Sequence, residues 1–131
     1  MRQGRFPRYF TLDEARALLP TLRPLMQRIQ ALAHELGADL GQRDLMVVWR
    51  HLHENGGNPI ASRLWVRWQE LTECVRQVHA TGALVKDLWL GLVDFPHWRE
   101  GREVFLCWRC DEEDISFWHE LDAGYQGRQP L

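Results

Sequence analysis

From Leu12 to Leu40, apolar residues recur at positions 12, 15, 19, 22, 26, 29, 33, 36 and 40, an unbroken alternation of threes and fours. Such a period places one continuous stripe on a helix and obliges it to meet a second apolar surface. Thr11-Leu12-Asp13-Glu14 precedes the stripe and has the form of a capping box, a threonine hydroxyl and a glutamate carboxylate three positions on. Pro20 and Pro24 fall inside the stripe and predict a kink, or a short helix followed by a long one, near Leu19. Gly37 and Gly41 predict its end. A shorter helical pattern spans Asp44–Glu54 and stops at Asn55-Gly56-Gly57. Asn58-Pro59 then restarts a helix whose stripe is Ala61, Leu64, Trp68, Leu71, Val75, Val78 and Gly82. Two stripes of matching period read as an antiparallel helical hairpin or three-helix layer.

Beyond Gly82 the period shortens. Ala83–Val85, Leu90–Phe95, Glu103–Arg109 and Ile115–Leu121 are short, rich in aliphatic and aromatic residues, and bounded by Gly, Pro or acidic turns, which predicts strands. Cys110–Asp114 reads as the turn between the last two strands, and the glycine-punctuated tail from Asp122 as loop. The expected fold is α+β: one domain over 1–131, with a helical part (1–82) followed by a small antiparallel sheet and C-terminal loop (83–131).

Charge is divided between these parts. Residues 1–82 hold eleven cations and eight carboxylates, whereas 83–131 hold five cations and ten carboxylates. An acidic sheet beside a mildly basic helical part argues against nucleic acid, whose binding rests on phosphate neutralisation. Three cysteines, Cys74, Cys107 and Cys110, are too few for a disulfide framework and make the cytoplasm the expected compartment. No stretch approaches the roughly 20 apolar residues of a membrane span, and MRQGRFPRYF lacks the apolar run of a signal peptide.

Several stretches together carry a family resemblance: Tyr9-Phe10-Thr11-Leu12 with Glu14-Ala15, Leu18-Leu19-Pro20, Val85-Lys86-Asp87-Leu88, Gly91-Leu92-Val93-Asp94-Phe95-Pro96, Gly101-Arg102, Leu106-Cys107-Trp108, Phe117-Trp118-His119-Glu120, Asp122 with Gly124, and Gly127-Arg128. The chain resembles, over nearly its whole length, the widespread prokaryotic domain of unknown function family 2203. That resemblance implies no activity. Cys110 departs from the family's pattern, so a site built on both Cys107 and Cys110 would be peculiar to this chain.

Chemistry-bearing residues concentrate between Lys86 and Arg128, with four of the seven tryptophans. Strand alternation through Trp118-His119-Glu120-Leu121-Asp122 puts Glu120 and Asp122 on one face and His119 on the other, apolar one. Two carboxylates about 7 Å apart, with Asp94 or Asp87 from a neighbouring strand, could hold a hard divalent metal ion such as magnesium or manganese. Ion pairing to Lys86, Arg102 and Arg128 is the competing reading. His119 reads as a neutral core histidine, unless a bulge at Trp118 turns it toward Glu120. Cys107-Trp108-Arg109-Cys110 has the spacing of half a zinc site, but it ends a strand beside four acidic residues, so Cys107 reads as a small core residue and Cys110 as a bystander. His51 and His53, two apart on a helix, point to different sides. Gly124 and Gly127 beside Arg128 could shape a ligand loop.

The expected function is accordingly a binding domain. Its metal set would be Asp87, Asp94, His119, Glu120 and Asp122, with Lys86, Arg102, Trp118 and Arg128 toward a small polar ligand. The alternative is a ligand-free interaction module that forms a homodimer through its helical stripes.

Overall fold

The computed structural model describes residues 4–40 and 59–131. The chain forms helix α1 (Leu12–Leu40) and helix α2 (Pro59–Ala80), then strands β1 (Leu84–Asp87), β2 (Leu92–Arg99), β3 (Arg102–Arg109) and β4 (Phe117–Glu120), a 3₁₀ turn (Tyr125–Gly127) and a short strand β5 (Gln129–Pro130). All five strands make one antiparallel sheet in chain order, so the fold is α+β. The stretch Asp44–Glu54, with Trp49, His51 and His53, lies outside the described residues.

The capping box is formed. Glu14 donates its amide to Thr11 Oγ1 at 3.1 Å, and Thr11 donates its amide to the Glu14 carboxylate at 2.8 Å. From there the apolar stripe decides the packing: Ala15, Leu19, Leu22, Met26, Ile29, Ala33 and Leu36 are all buried, and Leu64, Leu71 and Val78 answer them from α2. Arg28 pairs with Glu70 and Glu35 with Arg67, a crossed order that requires the helices to run antiparallel. These exposed ion pairs fix direction more than they stabilise.

The helix does not break at its prolines. α1 runs unbroken through Pro20 and Pro24, and through Gly37 to Leu40. Both prolines are exposed and four apart. The carbonyls that lose a partner, those of Arg16 and Pro20, therefore belong to the solvent side of the helix, where water can take them. Burial of the opposite face outweighs two missing hydrogen bonds.

The sheet turns one face to the helices. Val93, Phe95, Val104, Leu106, Trp108 and Trp118 join the helical core. The strand pairs Leu92↔Arg109, Asp94↔Cys107, Pro96↔Phe105 and Phe105↔His119 belong to the outer face. The N-terminal segment lies over part of that outer face, with Phe6 against Phe105 (5.3 Å between ring centres) and Tyr9 stacked on Trp98 (4.8 Å).

Strand β2 runs four residues beyond the expected Phe95, straight through Pro96. The Pro96 carbonyl accepts the Phe10 amide at 2.7 Å. Its nitrogen points the same way, toward the edge that β1 has already left, so no ladder bond to β3 is missing. The tail, expected as loop, adds β5 along the open edge of β4. Among the described residues no helix is long and apolar enough to cross a membrane.

Gly91, just before β2, has φ +69°, and a Cβ placed on it would stand 2.5 Å from Cys110 Sγ. The Gly91 carbonyl also accepts the Cys110 amide at 2.9 Å, so this turn cannot easily move away. Gly91→Ala is expected to cost about 2 kcal/mol, from left-handed strain and overpacking. The check is a urea midpoint shift at unchanged m-value.

Candidate metal centre and its cleft

Alternation along β2, β3 and β4 puts three buried polar side chains side by side on the outer face of the sheet. Asp94 and Cys107 are directly paired neighbours, and His119 pairs with Phe105, diagonal to Cys107. The three are buried. One ligand atom from each, a carboxylate oxygen, Sγ and an imidazole nitrogen, lies within 4.8 Å of the other two.

His119 is fixed at both nitrogens. Nδ1 stands 2.7 Å from the Glu120 carbonyl, which can only accept, so Nδ1 carries a proton. Nε2 stands 3.1 and 3.0 Å from the two oxygens of Asp94. Burial opposes the imidazolium, but hydrogen bonds to Asp94, to Cys107 and to the Glu120 carbonyl outweigh it and push the His119 pKa up to about 10. The same Nδ1 bond leaves Nε2 as the basic atom once the ring loses a proton, and a backbone carbonyl on the far nitrogen is typical of metal-ligating histidines.

A cleft of about 280 Å³ opens above the three side chains, lined by Lys86, Asp87, Leu92, Phe105, Leu121, Gly124 and Tyr125 among others. One wall is the tail after β4. It is held down by Arg128, which donates to the Cys107 carbonyl (3.2 Å) and the Glu112 carboxylate (2.5 Å) and lies 4.1 Å from the Phe117 ring centre. Arg109 adds a hydrogen bond to the Tyr125 hydroxyl at 2.8 Å.

Of the five acidic and histidine residues expected to converge, the structure brings together Asp94 and His119. Glu120 projects to the helix-facing side, where it pairs with Arg102 at 2.5 Å. Asp122 is exposed in the turn after β4. Asp87 lines the cleft, but one of its oxygens accepts the amides of Trp89 and Leu90, both at 2.9 Å. Lys86 lines the cleft. Trp118 is buried on the inner face, with the Arg99 and Arg102 guanidiniums 4.6 and 5.7 Å from its ring centre. Arg128 is a brace under the cleft wall.

Cys107 is the member that sequence reasoning set aside. Cys110 takes no part: its Sγ is 3.3 Å from the Gln30 side chain on the helix side, and burial and Asp111 push its thiol up. The two cysteines therefore serve opposite faces of the sheet. The constellation also differs from a nucleophilic relay, in which the two imidazole nitrogens are divided between thiol and carboxylate. Here Nε2 faces the Asp94 carboxylate, and Nδ1 is taken by the Glu120 backbone carbonyl.

No curated protein and no solved structure matches the chain. A family model described as an uncharacterised conserved protein covers residues 8–131, taking in both helices, the whole sheet and every residue of the cleft, and the chain therefore belongs to the DUF2203 family.

Proposed function

We propose that this chain is a metal-binding domain that holds a divalent ion of the zinc class through Asp94, Cys107 and His119, with a further coordination position open to the cleft. The observation that carries this reading is the convergence of one carboxylate, one thiol and one imidazole, within 4.8 Å of one another, at the floor of a cavity. A mixed O, S and N set favours zinc over the magnesium or manganese suggested by carboxylates alone. Zinc bonds of about 2.0–2.3 Å draw ligand atoms closer than 4.8 Å, so binding calls for a side-chain adjustment of roughly 1 Å. It also exchanges the His119 proton for the metal. The three cysteines are free, which agrees with a cytoplasmic setting.

The test is metal uptake by protein purified without a histidine tag and stripped with chelator. One zinc per chain is expected, stabilising the fold by about 2.7 kcal/mol at a free concentration 100-fold above Kd. Cobalt(II) in its place is expected to give thiolate charge-transfer absorption. Cys107→Ser is expected to abolish that absorption and weaken zinc at least tenfold. Equal uptake by wild type and Cys107→Ser, or none by either, rejects the centre.

A further inference from the structure

The rim of the cleft suggests what shares the metal. Strand β1 shifts register between Val85 and Asp87, so two consecutive residues, Lys86 and Asp87, both line the cavity instead of alternating. The bulge inserts one extra residue, Lys86, and so re-aims the side chains around it. The Lys86 ammonium stands 4.6 Å from the centre of the Phe105 ring, and Phe105 in turn is 5.5 Å, centre to centre, from His119. Lys86 is exposed, and among the described residues no carboxylate lies within ion-pair distance of it. Of the two carboxylates of the cavity, Asp94 is held by His119, and one oxygen of Asp87 by the Trp89 and Leu90 amides. The accessible cation on the rim is Lys86, beside the second oxygen of Asp87. Leu92, Phe105, Leu121 and Tyr125 supply apolar and aromatic walls around it.

We infer that the cleft accepts a small organic monoanion, a carboxylate on a short apolar or aromatic body, whose charged end lies between Lys86 and the metal position. This inference rests on the metal reading above. A cavity of about 280 Å³ is near the lower limit for ligand sites, which suits a small acid and excludes a nucleotide. A divalent ion and Lys86 supply three positive charges against Asp87, Asp94 and a Cys107 thiolate, so a ligand with one negative charge leaves the smallest excess. A phosphate monoester, near −2 at neutral pH, would meet too little compensation.

The experiment is calorimetric titration of zinc-loaded protein with benzoate and with its neutral counterpart benzamide, on wild type and Lys86→Met. Methionine retains much of the apolar stem at this exposed position, so folding is preserved. Benzoate is expected to bind saturably and benzamide at least tenfold more weakly. Lys86→Met is expected to lose about tenfold for benzoate with zinc affinity unchanged. Equal binding of benzoate and benzamide, or undiminished benzoate binding by Lys86→Met, overturns the inference. Zinc uptake is measured first on the same samples: normal uptake without Lys86-dependent benzoate binding rejects the anion alone, whereas absent uptake rejects the metal reading beneath it.

Discussion

Asp94→Ala is expected to destabilise the metal-free protein by about 3–5 kcal/mol at pH 6, the cost of stranding a buried charge by removing its partner. The side chains of Asp94 and His119 are 4% and 3% exposed, so water cannot replace the lost carboxylate. Without Asp94, Nε2 loses its carboxylate partner, while Nδ1 still donates to the Glu120 carbonyl. The imidazole then relieves part of the cost by losing its proton, so the penalty is expected to shrink at pH 8. An apolar double substitution, Asp94→Leu with His119→Phe, removes both charges and is expected to recover much of the loss, as replaced buried ion pairs commonly do. Urea unfolding of the two singles and the double, in chelator, measures the coupling. If Asp94→Ala lies within 1 kcal/mol of wild type at pH 6, the two groups do not share a charge.

Much of the architecture was legible because period dictates burial. The stripe from Leu12 to Leu36 could be satisfied only by a second stripe, and the Thr11–Glu14 box marked where it starts. The prolines pointed to a kink or a break near Leu19, and no break occurs, since a count of lost hydrogen bonds says nothing of which face of the helix they fall on. The candidate site was half legible. Asp94 and His119 could be named, but apolar residues occupy both faces of β4, with Phe117 beside Trp118, so alternation alone could not tell which face meets the helices. Cys107 was within reach. Glu100 and Gly101 have φ of 51° and 83°, as a tight hairpin turn requires, and Arg99 pairs with Arg102 across them. Counting outward from that two-residue turn sets Asp94 opposite Cys107. No such count reaches His119, because β3 and β4 are joined by a longer connection whose path is set by Arg23 of α1, which donates to the carbonyls of Cys110, Glu112 and Glu113.

The sign of the pH dependence follows from the same pair. His119 rises from an ordinary value of 6.5 to about 10 in the fold, so the folded chain holds a proton that the unfolded chain releases. Its stabilisation is fully present below pH 6.5, declines as pH rises, and is gone above pH 10. A shift of that size corresponds to several kcal/mol. Burial also raises the thiols of Cys74 and Cys110 above 9, so their contribution begins only at higher pH. Between pH 7 and 8.5 His119 is therefore the group to watch, and unfolding free energy of the metal-free protein is expected to fall by about 1.4 kcal/mol per pH unit from this residue. His119→Gln, which keeps a donor toward the carbonyl or the carboxylate but carries no charge, is expected to flatten that slope. Saturating zinc is expected to flatten it as well, because the bound ion has already expelled the proton and its affinity grows as pH rises. Denaturant unfolding of wild type and His119→Gln at three pH values, with chelator and with zinc, separates the cases. Parallel pH profiles for the two proteins in chelator would mean that His119 is neutral in the fold, and a slope that persists unchanged in zinc would mean that the metal does not reach its Nε2.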